Sequence, residues 1–403
     1  MTTMTTMTTM ATTTTTATVA LGIDRLLASN RLDGRRIGVV TNPASIDANL
    51  AHTIDRLSSR DGVTVAALFG PQHGFRADVQ DNMIETPHGK DQGRGIPIYS
   101  LYSETREPTA EMLEGLDALV IDLQDVGTRV YTYIHTMAHC LEAAGRVGLE
   151  VIVCDRPNPI GGALVEGPVL DPAFRSFVGL FPIPLRHGMT IGELARLLNE
   201  TYALGASLEV SQMAGWDRGM YHDDTGLPWV MPSPNIPTLD SATVYPGSVL
   251  FEGTTLSEGR GTTRPFELIG GPGVRPDALT DRLNGLDLDG VFFRPVWFEP
   301  TFQKHAGVCC GGCQIHVTDR KTFRPVRTAV VLMQTVRAHA PEAFAWRSPP
   351  YEYEHEKMPI DILAGTDRFR AQIEAGQPLG DIEADWTAAL ASFGERRRAY
   401  LLY

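Results

Sequence analysis

Apolar residues come in short unbroken runs through the first half of the chain, and each run ends in glycine, proline or charged residues. Runs at 36–40, 63–69, 98–101, 118–121, 151–153 and 208–213 are biased to β-branched types and predict strands, most of them buried on both faces. Between them the apolar positions shift to helical spacing, predicting helices at 23–28, 46–57, 109–113, 131–144 and 190–202. The last opens with a capping box, Thr190 and Glu193, and Gly145 followed by Gly148 reads as the stop of the helix before it. Strand, helix and strand across 116–162 make a βαβ crossover, so its two strands are parallel. Ligands of such sheets bind beyond the carboxyl ends of the strands. There the chain places Asp122, Gln124, Asp125, Thr128 and Arg129 after one strand, and Asp155, Arg156 and Asn158 after the other. Asp122, Asp125 and Arg129 are therefore expected to line a cleft.

The long polar loop at 71–95 has hardly any periodicity and carries His73, Arg76, Asp78, Asp81, Glu85 and His88, more charge than a connector needs. The stretches 163–188 and 216–246 read as irregular. After 247 the alternation fades, with strands at 291–294 and 314–317 and a helix at 326–339. The fold class expected is α/β, a Rossmann-like doubly wound parallel sheet over 20–246. A second, smaller α+β auxiliary domain follows over 247–403, and residues 1–19 form a disordered Thr/Met-rich tail.

Composition narrows the function. With 403 residues the chain has room for two full cores, and its net charge of −13 argues against nucleic acid or an anionic membrane surface as partner. No apolar run approaches a membrane span. The Thr/Met tract lacks the basic start and apolar core of a secretory signal, and five cysteines suit free thiols in a reducing compartment. The expectation is a cytoplasmic protein, or a periplasmic or secreted one if the true start or an unrecognised export route differs. No glycine fingerprint of a dinucleotide or P-loop site occurs, nor a G-x-S-x-G elbow. Cys309, Cys310 and Cys313 supply thiols alone, too few ligands for a structural zinc.

Carboxylates and arginines are the stronger signal. Asp122, Asp125, Glu85, Glu252 and Glu258 stand at strand ends or in glycine-flanked loops, and paired carboxyl groups are the apparatus of glycoside hydrolysis. Arg129, Arg156, Arg186, Arg260 and Arg264 lie in loops of the same kind, where a guanidinium suits capture of a carboxylate or phosphate. A sugar bearing its own acid group accounts for both sets.

The blocks FGPQHGF, IYSLYSETREPT, VIDLQDVGTRVYTY, CDRPNPIGG, VEGPVLD, FPIPLRHGMTIGELA, FEGTTLSEGRGTTRPFE and CGGCQIHVTDR resemble those of the NamZ-type exo-β-N-acetylmuramidases, from about residue 22 to 403. The resemblance implies a cleft between the two domains and release of N-acetylmuramic acid (MurNAc) from the non-reducing ends of peptidoglycan fragments. It implies no metal or nucleotide cofactor. The family commonly has glutamate where this chain has Gln72, and an amide neither donates nor accepts a catalytic proton. Glu258, with Gln72 opposite it, is the expected catalytic carboxylate, and Glu85 is the next candidate. The expected substrate-binding residues are His73, Asp122, Asp125, Arg129, Tyr133, Arg156, Asn158, Arg186, His187, Glu252 and Arg260. Among the arginines, Arg129, Arg156, Arg186 and Arg260 are the candidates for holding the lactyl carboxylate of MurNAc. A non-catalytic muropeptide-binding protein is the alternative that Gln72 raises, and a dinucleotide-dependent enzyme is disfavoured by the missing fingerprint.

Overall fold

The computed structural model describes residues 18–81 and 83–403. The Thr/Met tract lies outside the described residues up to position 17, whereas Val19 is buried and its N–H donates to the Thr225 carbonyl. Among the described residues no helix is long and apolar enough to cross a membrane.

Among the described residues twelve strands are formed, taken in chain order. The first six are β1 (Arg36–Thr41), β2 (Thr64–Gly70), β3 (Gly89–Lys90), β4 (Pro97–Ser100), β5 (Ala118–Asp122) and β6 (Glu150–Cys154). The others are β7 (Glu166–Val169), β8 (Pro184–Arg186), β9 (Ser207–Ser211), β10 (Leu268–Gly271), β11 (Val291–Phe298) and β12 (Cys310–Val317). Seven of them make the main sheet, in the order β3-β4-β2-β1-β5-β6-β9, parallel except for the short edge strand β3. Alternation within each strand explains why helices cover both faces. Ile37, Val39, Ala118, Val120 and Ile152 point to a cluster shared with Ile23 and Ile54, from helices Gly22–Ala28 and Thr53–Ser58. Val40, Leu119, Ile121, Val151 and Val153 point the other way, onto Ile134 and Leu141 of helix Tyr133–Val147 and Leu194 of helix Ile191–Thr201. The expected α/β class is the one adopted.

A three-stranded antiparallel sheet, β10-β12-β11, and the hairpin β7-β8 complete the strands. The second apolar cluster runs on without a break into the C-terminal part, through Phe251, Val330, Ile362, Phe369 and Phe393. Position 246 lies within helix Leu239–Ser248, and helix Leu379–Arg397 packs back on β7. The two parts therefore share a core.

Several sequence expectations need correction. Only the second half of 46–57 is helical, as Thr53–Ser58. Asp47 Oδ1 accepts the N–H groups of Asn49 and Ala51, a local turn that competes with helix, and Leu50 is left-handed at φ 65. Gly145 does not stop its helix. A Cβ there would stand 2.7 Å from the Leu204 carbonyl oxygen, so this glycine allows close packing, and Gly148, at φ 70, is the C-cap. The stretches expected to be irregular contain the β7-β8 hairpin and helix Leu239–Ser248.

Strand order reverses between β1 and β5, the place where doubly wound sheets bind nucleotides. Here the chain itself covers that crevice. Asn42, after β1, donates to the carbonyls of Gln124 (3.4 Å) and Pro232 (3.1 Å), and the remaining cavity, beside Arg156 and Trp229, is about 10 Å3. That is room for about one water, not a dinucleotide. Beneath it Asp122, fully buried, takes Arg156 in a bidentate pair at 2.5 and 2.9 Å and also accepts from Thr53. Removing one partner of such a pair strands the other charge out of water. Asp122→Asn is therefore expected to lower stability by about 3–5 kcal/mol, read as a reduced urea midpoint with an unchanged m-value.

Candidate active site

A narrow pocket of about 40 Å3 lies beyond the carboxyl ends of β2 and β5 and is closed from the far side by the C-terminal part. The loop after β2 brings Gln72 and His73, and the loop after β5 brings Val130, Tyr131, Thr132 and Tyr133, where the next helix starts. Ser233, Asn235 and Ile236 come from the segment that also covers the strand-order crevice. Glu252 sits in a 3-10 turn, Val249–Gly253, directly after helix Leu239–Ser248. Arg260, Phe266, Tyr351 and Glu352 complete the wall. Three of these non-glycine residues have a left-handed backbone: His73 (φ 70), Phe266 (φ 67) and Glu352 (φ 43). Such conformations cost of order 1–3 kcal/mol each and collect at functional sites.

Charge is concentrated on one side of the pocket. Arg260 meets Glu252 at 2.8 Å, and Tyr351 donates its hydroxyl to the same carboxylate at 2.6 Å. Burial alone would depress the Arg260 guanidinium, but Glu252 and Glu258 outweigh it and hold its pKa above the ordinary value. Tyr102 donates to Glu352 at 3.3 Å. On the other side Gln72 Oε1 accepts from Thr132 at 2.7 Å. His73 is pushed down to about 4, chiefly by burial, and is neutral at physiological pH. Its Nδ1 donates to the Val79 carbonyl at 2.8 Å, which fixes the tautomer and leaves Nε2 as an acceptor. The pocket thus gathers two carboxylates, a guanidinium, a neutral imidazole, an amide and several hydroxyls. That set suits a polyhydroxylated, acid-bearing ligand and proton transfer to or from it.

Comparison with known proteins bears directly on this arrangement. The profile described as exo-beta-N-acetylmuramidase NamZ, N-terminal, matches residues 37–240, and its C-terminal counterpart matches 243–403. The chain belongs to the NamZ exo-β-N-acetylmuramidase family. It is 47% identical over 387 residues to the peptidoglycan β-N-acetylmuramidase NamZ of Bacillus subtilis (strain 168), covering 96% of this chain and 91% of that one. Two crystal structures of DUF1343 family proteins from Bacteroides fragilis NCTC 9343 share the fold. One has a TM-score of 0.86 at 37% identity and the other 0.75 at 29%, each covering 96% of this chain and 99% of its own.

Of the residues singled out from sequence, this NamZ-family chain brings Gln72, His73, Tyr133, Glu252 and Arg260 into the pocket. Asp122, Asp125 and Arg129 follow the carboxyl end of β5 as expected, but they are buried beneath the site and not on the pocket wall. Asp125 accepts from the Gly127 N–H (2.7 Å) and faces His187 at 3.3 Å. Arg129 donates to the carbonyls of Pro168, Ile183 and Leu363, and Arg156 is taken up by Asp122. Arg186 bonds the Ile160 carbonyl (2.6 Å) and the Tyr221 hydroxyl (3.1 Å), and Asn158 bonds the Met189 carbonyl (2.9 Å). Glu85 stays outside with half of its side chain exposed, and the hydrogen bond from Arg106 holds its pKa below the usual carboxylate value. The sequence reading missed Glu352, Tyr351, Thr132, Ser233 and Asn235. The acidic and aromatic cluster YEYEHE was the available sign of the first two.

Glu258 stands behind the wall, 1% exposed, although it was expected to face the cleft. Gly259 and Gly261, at φ 79 and 80, let its loop fold tightly; a Cβ on Gly261 would lie 2.5 Å from the Phe302 carbonyl oxygen. Lys304 donates to Glu258 at 2.7 Å and to the carbonyls of Phe251 and Leu256, while Arg260 lies 3.6 Å from the other carboxylate oxygen. Burial works to raise the Glu258 pKa, but Lys304 and Arg260 outweigh it and hold the carboxyl below its usual range. With a lowered folded-state pKa, its stabilisation is complete above the unfolded value and is lost as the pH falls through the folded one. Glu258→Gln is expected to cost about 3–5 kcal/mol in denaturant titrations at pH 7. The difference from wild type should shrink as the titrations are taken to acid.

Proposed function

We propose that this protein is an exo-acting glycoside hydrolase that releases MurNAc from the non-reducing ends of peptidoglycan fragments. Support comes from the family, from the B. subtilis relative whose name carries that activity, and above all from one observation. Glu252 and Glu352 line a single pocket with Arg260, so the amide at position 72 does not leave the site without carboxyl groups. In this reading the two glutamates divide the acid and base work of glycoside hydrolysis. Glu252, ion-paired with Arg260, suits the anionic role, and the acid role is assigned to Glu352, the other carboxyl group on the pocket wall. Gln72, held by Thr132, and His73, through Nε2, position sugar hydroxyls. Glu258 acts through Arg260 and Lys304, by fixing the guanidinium that faces the pocket.

Arg260 is the one of the four arginine candidates that lines the pocket, and among the described residues its buried Nε has no hydrogen-bond partner. That geometry supports it as the group that binds the lactyl carboxylate. The free thiols Cys140, Cys154, Cys309, Cys310 and Cys313 suit reducing surroundings.

On a chromogenic MurNAc glycoside, Glu252→Gln and Glu352→Gln are each expected to lower kcat by a factor of about 10² to 10⁴, measured on protein shown to be folded by circular dichroism. Full activity in both variants would sink the assignment. Arg260→Lys keeps the charge but loses the planar fork, so affinity for MurNAc should fall roughly ten- to a hundred-fold, measured by calorimetry. GlcNAc, without the lactyl group, should lose much less.

A further inference from the structure

Glu352 reaches the pocket wall from the tip of a tight loop. Tyr351 and Glu354 exchange both backbone hydrogen bonds at 2.9 Å, so the loop between them is two residues long. Those residues, Glu352 and Tyr353, are left-handed at φ 43 and 67. Positive φ at both central positions marks a type I′ turn, where Asn-Gly is strongly preferred because other side chains resist that backbone. A glutamate followed by a tyrosine therefore has to be held there by what surrounds it.

Both side chains are held by the N-terminal part. The hydroxyl of Tyr102, which is fully buried, accepts the Met83 N–H at 3.1 Å and donates its one proton to Glu352 at 3.3 Å. Tyr353 meets the same Tyr102 edge to face, with ring centroids 6.1 Å apart. Over both rings lies the guanidinium of Arg106, 4.5 Å from the Tyr102 centroid and 4.6 Å from that of Tyr353. The ring quadrupoles attract such a cation, and more strongly where it is partly out of water, as Arg106 is. Glu85 completes the clamp, accepting from Arg106 at 2.9 Å and from the Tyr353 hydroxyl at 3.3 Å. Tyr102 and Arg106 come from the block IYSLYSETREPT. Glu85, the next catalytic candidate from sequence, is here a tether.

We propose that Arg106 and Tyr353 are positioning residues for Glu352, clamping a turn of unfavourable sequence in the conformation that sets its carboxyl group on the pocket wall. The proposal rests on the reading of Glu352 as the acid and adds how that acid is aimed. Proton transfer to the leaving oxygen needs hydrogen-bond distance. A loosened turn would therefore weaken protonation while leaving Arg260 and Glu252, on the other loop, to bind the sugar as before.

Tyr353→Gly tests this, because glycine suits the turn but offers Arg106 no ring. Arg106→Gln, which leaves the turn sequence intact, makes the same comparison should the glycine variant fail to fold. Methanol is a poor leaving group that depends on the acid, whereas nitrophenol departs with little help. In either variant kcat should fall roughly tenfold further on methyl β-MurNAc than on para-nitrophenyl β-MurNAc, with KM kept within about twofold on both. Tyr353→Phe keeps the ring and should recover most of the loss. Equal losses on the two glycosides, or none, would overturn the proposal. Full activity in Glu352→Gln, or a wild type that cleaves neither glycoside, would instead sink the acid role on which it rests. The clamp is then judged by a crystal structure of Tyr353→Gly: a displaced Glu352 carboxyl group supports it, and an unmoved one overturns it.

Discussion

A guanidinium taken out of water must give its protons to something, and Arg129 is fully buried. It donates to the carbonyls of Pro168 (2.8 Å), Ile183 (3.0 Å) and Leu363 (2.7 Å), while its own N–H meets the Leu185 carbonyl at 2.8 Å. One side chain thus ties the loop after β5 to the β7-β8 hairpin and to helix Pro359–Ala364 in the C-terminal part. Burial pushes its pKa down to about 9, which still leaves it charged at neutral pH, so the carbonyl dipoles have to hold a full positive charge. The fit is close. A Cβ at Gly365 would lie 2.9 Å from the guanidinium, on a backbone at φ 79 that side chains disfavour. The four residues that follow Arg129, Val130 to Tyr133, are pocket wall, so the position of the site is inherited from this pin.

The strands could be read from sequence because a strand buried on both faces has to be continuously apolar, and Ala118 to Ile121 or Val151 to Val153 have no other plausible home. Elements whose sequence mixes signals could not. Helix Leu239–Ser248 contains Pro246 and has no strong apolar stripe, and β7 and β8 each carry a proline. The site was legible to the level of its loops. Arginines and acids do gather after the carboxyl ends of strands, but a list of them does not say which turn inward. Arg156 and Arg186 serve buried partners, whereas Arg260, from a loop of similar composition, faces the pocket. Glu258 and Glu252 lie six residues apart in one glycine-rich block, yet Glu252 lines the pocket while Glu258 is turned to Lys304 behind it. Glu352 comes from a segment with no strand end or glycine turn to mark it, and chain order gives no hint that it meets Tyr102.

The same physics explains why the pocket is not where a Rossmann-like sheet would first suggest. The crevice at the strand-order reversal is sealed by Asn42, by the Pro232 segment and by the Asp122–Arg156 pair. The open volume moves sideways, over the ends of β2 and β5, where the C-terminal part can supply the opposite wall. Neither part has a complete site: Gln72, His73 and Thr132 come from the sheet, and Glu252, Arg260 and Glu352 from beyond it. For the proposed chemistry a shared core is therefore a requirement. Two parts joined by a soft linker would place these groups to within several ångströms, whereas proton transfer needs hydrogen-bond distance. The left-handed backbones of His73, Phe266 and Glu352 make the same demand from the other direction. Each is unfavourable alone and persists only where the packing around it leaves no alternative, so these residues of the pocket wall depend heavily on the rest of the fold.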